Sequence, residues 1–360
     1  PPMPPITFDG RSLLIAGRRT TLIGAGCEYA MLPRAEQADR LRQVAQLGCN
    51  TVIASCPWFL HEPIAGHFDF EGDLNISEFL ADAQSAGLRV ILRIGPVIGA
   101  PFDGGGLPTW LGDRPEVATR TGTPGFLKLT SSWFRKITAE ITDHQADQDG
   151  GGPLVGVQIE HGWNCGSKSS ADGYLVELVR YARECGVTVP ILTANGFWQE
   201  TEGAIETWSG WDDLFSNLRQ VATLQPEKPR FCLLERSPAD AFCRAGLKRM
   251  APVSNDLSGR LARVLAAGAQ PLIAHGVEGV LPAAATKEED HRSGATGSWN
   301  GHHTIRPVIR IDDHWLIVRI QIRQHTTEVS SESENRRCLP AQIGRPPGTI
   351  DERKSEGVRG

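Results

Sequence analysis

The sequence predicts an α/β protein of the TIM barrel class, (β/α)8, followed by a short polar C-terminal tail. Short apolar runs bounded by turn residues alternate with amphipathic segments along most of the chain, which is the pattern of such a barrel. The run 154–159 is apolar almost throughout and follows a glycine-rich turn, as in a parallel strand covered on both faces. At 360 residues the chain exceeds the ~250 that such a barrel usually needs. No G-x-G-x-x-G motif follows a predicted strand, which disfavours the competing doubly wound open sheet.

The elements follow one another in barrel order. Turn pairs at Asp9-Gly10 and Ala16-Gly17 predict a small N-terminal hairpin. Apolar residues on one face and a stop at Gly48 are typical of the first helix. The predicted strands lie near Leu22 and at 51–55, 90–94, 154–159, 190–193, 204–208, 230–234 and 271–274. The predicted helices lie at 35–47, 76–86, 132–143, 172–185, 212–224 and 257–267.

The composition changes near Pro282, where charged and polar residues replace the alternating pattern. We therefore assign residues 1–281 to the barrel with its N-terminal hairpin and residues 282–360 to the tail. Two alternating runs flank Asp312-Asp313 and predict a hairpin over 306–323. The remainder of the tail has the composition of a disordered segment.

Charge and composition exclude several classes of partner. The formal net charge is only −5, and no basic run interleaves with aromatic residues, so nucleic acid is not an expected partner. No apolar stretch approaches the ~20 residues of a membrane-spanning helix, so no membrane partner is expected. The eight cysteines form no close C-x-x-C pair, and His302-His303 lacks metal-site spacing, so we expect neither metal nor cofactor. No signal-like segment opens the chain, which leaves cytoplasmic and secreted locations open.

Three loops after predicted strands carry aromatic and acidic residues. They are 58–63 after the second strand, 95–111 after the third, and Glu235-Arg236 after the seventh. The carboxyl ends of barrel strands are where this fold places chemistry. An aromatic-lined mouth with a few carboxylates suits a sugar, whose ring face stacks on aromatics while polar groups bind its hydroxyls. The sequence thus predicts a carbohydrate ligand.

The motifs in these loops resemble those of the catalytic domain of glycoside hydrolase family 35, the β-galactosidases. The resemblance runs from about Ile6 to Gly276. It is carried by Trp58, His61-Glu62-Pro63, Gly66, Phe68-Asp69-Phe70, Gly87-Leu88, Arg93, Gly95-Pro96, Gly105-Gly106-Leu107-Pro108, Trp110-Leu111, Gly151-Gly152-Pro153, Gln158 and Glu160.

The resemblance implies a retaining mechanism with two carboxyl groups, one the nucleophile and one the acid/base. It places the nucleophile at Glu235 and the acid/base at Gly162, where the carboxyl group is missing. Tyr29 and Glu160 keep the family's residues. Elsewhere the family's polar groups are replaced: Asn by His161 and Phe59, Tyr by Val97, Glu by Pro101, and Arg by Met31. The resemblance places sugar contacts at Tyr29, Trp58, Val97, Glu160 and His161.

Each of these residues also has a structural interpretation. Glu235 beside Arg236 is compatible with an ion pair at the barrel rim. Glu160, two residues before Gly162, is expected on the same strand face and ~6.5 Å deeper, as a hydrogen-bonding group of the site floor. His161 is either a replacement acid or points out of the barrel. The His61-Glu62-Pro63 turn is expected to shape its loop by bonding to backbone, and the tryptophans suit a core as well as a sugar platform.

The sequence is compatible with two functions and with a third alternative in which the protein has none. The first is β-galactosidase-like, retaining hydrolysis of a β-linked sugar by Glu235, weak or altered because the acid/base is lost. The second is a non-catalytic carbohydrate-binding or interaction protein on the same barrel. A drifted or truncated gene product, whose tail does not belong to the fold, is the third alternative.

Overall fold

A computed structural model describes most of the first 234 residues and shorter pieces beyond them. The described residues are 6–99, 102–148, 151–163, 170, 172–195, 200–210, 214–234, 264, 268–273, 304–305, 308–311, 314–317, 320–323 and 326–328.

A ring of parallel strands forms the centre of the molecule. The strands are β4 (Gly24–Gly26), β5 (Thr51–Ser55), β6 (Arg89–Gly95), β7 (Leu154–His161), β8 (Ile191–Ala194), β9 (Ile205–Glu206), β10 (Trp208–Gly210), β11 (Phe231–Leu234) and β12 (Gln270–Ile273). Each pairs in parallel with its neighbour in chain order except that β9 and β10 do not pair with each other, and β12 pairs with β4. Thr207 joins β9 to β10, and its amide donates to the carbonyl of Thr193 across 2.7 Å. These two therefore act as one interrupted strand, and the eight-stranded TIM barrel that the sequence predicts is confirmed.

Helices follow most strands. They are α1 (Arg34–Gln46), α2 (Trp58–His61), α3 (Ile76–Ser85), α4 (Pro124–Ile141), α5 (Glu177–Glu184) and α6 (Leu214–Leu224). Helix α4 begins eight residues before the predicted start at 132, because Pro124 occupies its first turn, where the missing amide hydrogen costs nothing. The predicted helix 172–185 is divided, with a π-helical turn at Asp172–Val176 before α5. Of the predicted helix 257–267, only residue 264 lies among the described residues.

The strands are buried on both faces. All five residues of β5, and seven of the eight in β7, are buried. Close packing inside the ring leaves little space at its glycines: a Cβ atom at Gly24 would lie 2.7 Å from Ile53 and 2.9 Å from Leu272. Coverage on both sides explains why these strands read as continuous apolar runs rather than alternating ones.

The N-terminal segment forms three short antiparallel strands rather than a simple hairpin. They are β1 (Thr7–Phe8), β2 (Leu13–Ile15) and β3 (Arg18–Thr20). The side chain of Gln270 on the last barrel strand accepts a hydrogen bond of 2.8 Å from the amide of Leu22. This bond ties the entry of the first barrel strand to the last one.

Five short strands are described in the tail. Strands β14 (Val308–Ile311) and β15 (His314–Ile317) pair antiparallel, and β16 (Ile320–Arg323) pairs with β13 (Thr304–Ile305) and β17 (Thr326–Glu328). Strand β17 lies in the segment that the sequence predicts as disordered. The boundary at residue 281 and the state of residues 329–360 stay predictions, since 329–360 lie outside the described residues.

Candidate active site

The carboxyl ends of β4 to β8 bring most of the predicted site residues to one end of the barrel. Tyr29 follows β4, Trp58 follows β5, Val97 follows β6, and the segment 160–163 ends β7. This is the end at which TIM barrels carry their functional groups. Glu235 and Pro101 lie outside the described residues, so the structure does not test the position of the predicted nucleophile.

Gly162 occupies a left-handed backbone position where β7 ends. Its φ is 63°, and its amide donates to the carbonyl of Ala194 across 2.7 Å. A Cβ atom built at Gly162 would meet no described heavy atom within 4 Å. Among the described residues, the position at which the resemblance places the acid/base therefore has room for a Cβ atom.

Glu160 is fully buried, and the backbone around it departs from regular strand geometry. Its φ is 51°, and the pairing of β7 with β8 shifts in register between Gln158 and His161. A left-handed residue and a register shift both interrupt the two-residue alternation of a strand. The rule that would put Glu160 on the same face as Gly162 therefore does not apply here.

The Glu160 carboxylate is enclosed by donors. Arg120 donates to Oε1 from Nε (3.0 Å) and Nη2 (2.6 Å), and the hydroxyl of Tyr174 donates to Oε2 across 2.6 Å. The π-helical turn before α5 carries this tyrosine. Burial raises the pKa of Glu160, and the Arg120 charge opposes that rise. Both oxygens are engaged by protein groups, so Glu160 acts as a buried hydrogen-bonding group, and a contact with a sugar stays a prediction.

His161 lies against the loop that follows β6. A Cβ atom at Gly99 would lie 2.7 Å from its Cδ2, so the imidazole ring rests on the backbone of that glycine. Its Nδ1 is 3.3 Å from Nε2 of Gln158. His161 is partly exposed, in contrast to its neighbour Glu160. The ring thus lies between β7 and the loop after β6.

Tyr29 and His61 form a buried hydrogen-bonded pair. The tyrosine hydroxyl lies 2.6 Å from Nε2 of His61, and Nδ1 of the same ring lies 2.7 Å from the carbonyl oxygen of Asp69. A carbonyl oxygen only accepts, so Nδ1 carries the proton and Nε2 accepts from Tyr29. Burial lowers the pKa of His61 to about 4 and keeps the ring neutral. The Tyr29 hydroxyl is therefore already committed as a donor.

Trp58 packs in the interior rather than presenting an open ring face. Only 1% of its surface is exposed. Its ring stacks on Trp133 at 5.8 Å between centroids and meets the edge of Trp110 at 6.1 Å. A sugar platform needs an exposed ring face. Of the two interpretations given to the tryptophans, Trp58 has the packing of a core residue.

Glu62 holds its own loop together, as the sequence predicts for the His-Glu-Pro turn. The indole Nε1 of Trp58 donates to its Oε2 at 2.5 Å, and the amide of Gly66 donates to its Oε1 at 2.7 Å. His61 also bonds to the backbone of Asp69, so the Glu62 carboxylate and the His61 imidazole both shape this loop.

Val97 is covered by a glycine turn. It is 7% exposed, and a Cβ atom at Gly105 would lie 2.8 Å from its Cγ1. Gly104, Gly105 and Gly106 all have positive φ, so the turn folds directly over Val97 and Ile98. The side chain at this position is an apolar contact beneath the turn.

Sequence reasoning missed two buried carboxylates. Arg93 donates to Oε1 of Glu28 at 2.9 Å, and Ser55 donates to both oxygens from its hydroxyl and its amide, each at 2.9 Å. Burial raises the pKa of Glu28, and the Arg93 charge opposes that rise. Glu206 accepts from the hydroxyl of Thr193 at 2.5 Å and from the amide of Asn195 at 2.6 Å. A strand-end position was the only sequence signal for either carboxylate.

The described part of the chain shows neither a metal-binding cluster nor a membrane-spanning helix. Among those residues, no group of three or more His, Cys, Asp and Glu side chains is placed to hold a metal ion. Within the same residues, no helix has the length and apolar character to cross a bilayer.

The sequence matches the model of a known protein family, glycosyl hydrolases family 35, over residues 12–265. This covers more than half of the chain.

Several curated relatives are about one third identical to this chain over the residues that align. Human beta-galactosidase-1-like protein 3 is 32% identical over 233 residues, which is 63% of this chain and 34% of the relative. Human beta-galactosidase-1-like protein 2 is 34% identical over 174 residues, 48% of this chain and 27% of the relative. Mouse beta-galactosidase is 33% identical over 182 residues, 50% of this chain and 28% of the relative. The chain spans about a third or less of the length of these relatives.

Solved structures share the barrel at low identity. An exo-beta-1,4-mannosidase, Op5Man5 from Opitutaceae bacterium strain TAV5, superposes with a TM-score of 0.56 and 17% identity over 74% of this chain and 54% of that one. Endo-glycoceramidase II from Rhodococcus sp. gives a TM-score of 0.50 and 14% identity over 74% of each chain. At these identities the likeness concerns the fold.

Proposed function

Because the chain belongs to glycosyl hydrolases family 35, we propose that it is a β-galactosidase-like retaining glycoside hydrolase with impaired acid/base catalysis. In this proposal Glu235 is the nucleophile and Gly162 stands at the acid/base position. The ligand is a β-linked sugar. The activity is weak on natural glycosides and depends on the leaving group.

One observation carries the proposal: Gly162 directly follows β7 at the carboxyl end of the barrel, and no described heavy atom lies within 4 Å of its Cβ position. A family acid/base at this place would need that space. In this proposal a small anion enters the place that the acid/base side chain would occupy, and Glu235, at the nucleophile position, is kept in the sequence.

The chemistry follows from the missing proton donor. The Glu235 carboxylate attacks the anomeric carbon, and the bond from that carbon to the leaving oxygen breaks with its electron pair on the oxygen. A sugar alkoxide needs a proton at that moment, which Gly162 does not supply. A dinitrophenolate leaves without one. General acid catalysis contributes ~10²- to 10⁴-fold, so natural disaccharides lose that factor while activated aryl glycosides lose much less.

The second step, hydrolysis of the glycosyl intermediate, lacks a general base for the same reason. Water attacks the glycosyl intermediate efficiently only when a base removes its proton. Azide is already an anionic nucleophile and needs no base. It displaces the Glu235 carboxylate from the anomeric carbon and leaves a glycosyl azide of retained configuration.

The test uses dinitrophenyl β-galactoside with and without azide. We expect slow turnover, acceleration by azide, and a β-glycosyl azide as product identified by NMR. Glu235→Gln removes the nucleophile and should abolish all of these. Arg180→Met, which removes an exposed ion pair on α5, serves as the control and should leave the rates unchanged. No turnover in the presence of azide would contradict the hydrolase proposal.

A non-catalytic carbohydrate-binding protein is the second candidate, and the residues at the mouth favour it. Met31, where the resemblance places the family's Arg, is 45% exposed, and Val97 replaces a Tyr. Neither replacement supplies the polar group that the family has at its position, so a galactose hydroxyl loses hydrogen bonds worth about 1 kcal/mol each. This candidate is supported if sugars bind, measured by calorimetric titration, while the dinitrophenyl substrate stays intact. Galactose should then bind no better than glucose or mannose, because the polar groups that distinguish hexoses are replaced.

A further inference from the structure

Two ion-paired residues near the end of β7 both have a left-handed backbone. The described non-glycine residues with positive φ are Ala16, Arg120 and Glu160. Arg120 has a φ of 57° and Glu160 a φ of 51°, and Nη2 of the first lies 2.6 Å from Oε1 of the second. Such a conformation is costly for an L-residue and persists only where the surroundings impose it. The pair therefore marks a place where two segments constrain each other.

Arg120 binds three of the four residues in the turn 160–163. Its guanidinium donates to the carboxylate of Glu160 and, from Nη2, to the carbonyl of His161 across 2.9 Å. Its own carbonyl accepts from the indole Nε1 of Trp163 at 2.9 Å. Arg120 lies in the connection between β6 and α4, so it ties that connection to the end of β7.

The rest of the turn is held from two further sides. Tyr174 binds the second carboxylate oxygen of Glu160, and its ring packs on Trp163 at 5.8 Å between centroids. The end of β8 binds the amides of Gly162 and Trp163 through the Ala194 carbonyl and the Asn195 side chain. Gly162 itself has no side chain, so its backbone position depends on these neighbours.

We infer that Arg120 is a positioning residue: its ion pair with Glu160 fixes the backbone of the turn 160–163 and so sets the direction of any side chain placed at position 162. The catalytic consequence rests on the proposed function, while the structural part does not. Arg120 acts through Glu160 and His161, not on the substrate. The guanidinium uses two nitrogens, Nε and Nη2, to bind Oε1 of Glu160 and the carbonyl of His161, and the single nitrogen of a lysine ammonium reproduces only part of this arrangement.

The structural readout is amide hydrogen exchange of the turn, followed by mass spectrometry. Arg120→Ala should accelerate exchange of the amides of residues 161–163 at least tenfold and leave those of β5 unchanged. Arg120→Lys should give an intermediate effect, and guanidinium ions should restore protection to Arg120→Ala. Arg180→Ala should exchange like the unchanged protein in this turn, with or without guanidinium. Unchanged exchange in the turn, or equal acceleration in β5 for the lysine variant, would overturn the inference.

The catalytic readout uses the protein with His161→Asn and Gly162→Glu, in which the acid/base is restored. Adding Arg120→Ala should lower kcat at least tenfold with KM within twofold, since a misplaced group of this kind costs up to ~10²-fold. Guanidinium should recover the loss. A rise in KM at unchanged kcat would overturn the positioning role. If the restored protein is itself inactive, the proposed function fails, and the exchange experiment still decides the role of Arg120.

Discussion

Nη2 of Arg93 lies 2.9 Å from Oε1 of Glu28, and the two side chains are 0% and 8% exposed. The guanidinium also donates from Nε to the hydroxyl of Ser55 at 2.9 Å and from Nη1 to the carbonyl of Ile98 at 3.1 Å. This buried pair links the ends of β4, β5 and β6, and its hydrogen bonds offset the cost of burying both charges.

Removing one partner of this pair should be worse than removing both. Arg93→Met leaves Glu28 buried without its counter-charge and should lower the free energy of unfolding by about 3 to 5 kcal/mol. The double variant Glu28→Gln with Arg93→Met should recover a substantial part of that loss. Equilibrium unfolding in urea measures both values.

The matched control is Arg180→Met, which removes an exposed arginine bonded to Glu177 and Glu184. Its urea midpoint should equal that of the unchanged protein, because exposed ion pairs contribute little. If Arg93→Met is as mild as Arg180→Met, the buried pair does not stabilise the barrel.

Protonation of His61 should make the free energy of unfolding depend on pH. Its pKa is lowered to about 4 in the folded protein, against about 6.5 for an unfolded histidine. The unfolded state therefore binds more protons between these values, so stability is complete above about pH 6.5 and falls as the pH drops toward 4. The loss across this window should be roughly 3 kcal/mol.

Comparison with His61→Gln isolates this contribution. The carboxylates Glu28 and Glu160 have raised pKa values, which make stability fall as pH rises through their range, but both are present in the two proteins. The stability difference between the unchanged protein and His61→Gln should shrink from pH 7 to pH 4. A difference that stays constant over this range would show that His61 does not titrate as its burial requires.

The last barrel strand should be essential for folding. Strand β12 pairs with both β11 and β4, and Gln270 caps the amide of Leu22. A chain ending at residue 279 keeps this strand, whereas one ending at 258 leaves β4 and β11 with open edges. The longer chain should melt cooperatively by circular dichroism and the shorter should not. Cooperative melting of the shorter chain would contradict the requirement for closure.

The strands could be predicted from the sequence because a strand that is buried on both faces needs apolar or small residues at successive positions. Strands β5 and β11 show this pattern. The start of α4 was missed because its first turn holds Pro124 and Gly125, which locally favour a break. Long-range partners leave no local signal: Arg93 and Glu28 are separated by 65 positions, and Arg120 and Glu160 by 40.

The candidate site shows the same limit at Glu160. A strand end followed by a glycine is readable from sequence, but a left-handed glutamate is not, because its conformation is imposed by Arg120 and Tyr174. The two-residue alternation of a strand therefore cannot be applied across positions 160 to 162. The position of Gly162 at the end of β7 was predictable, because the apolar run of the strand and the family motif at Gln158 and Glu160 both end beside it.

Restoring a carboxyl group at Gly162 is the most direct prediction about activity. The φ of 63° is unusual for glutamate, yet Glu160, two residues earlier, has a φ of 51°. No described heavy atom lies within 4 Å of the Cβ position. His161→Asn with Gly162→Glu should raise kcat/KM on ordinary aryl and disaccharide β-galactosides by about 10²- to 10⁴-fold, because proton donation and base catalysis both return. The pH profile should gain a descending limb at high pH from the new acid.

Gly17→Glu is the matched control, because this glycine also has a positive φ of 71° and open space but lies between β2 and β3, in the N-terminal segment. It adds the same charge and backbone cost and should leave activity unchanged. Adding Glu235→Gln to the restored protein should return it to inactivity, since the new acid is useless without a nucleophile. If the restored protein stays silent although its fold is intact, the residues around the mouth no longer bind a sugar productively, and the non-catalytic alternative takes precedence.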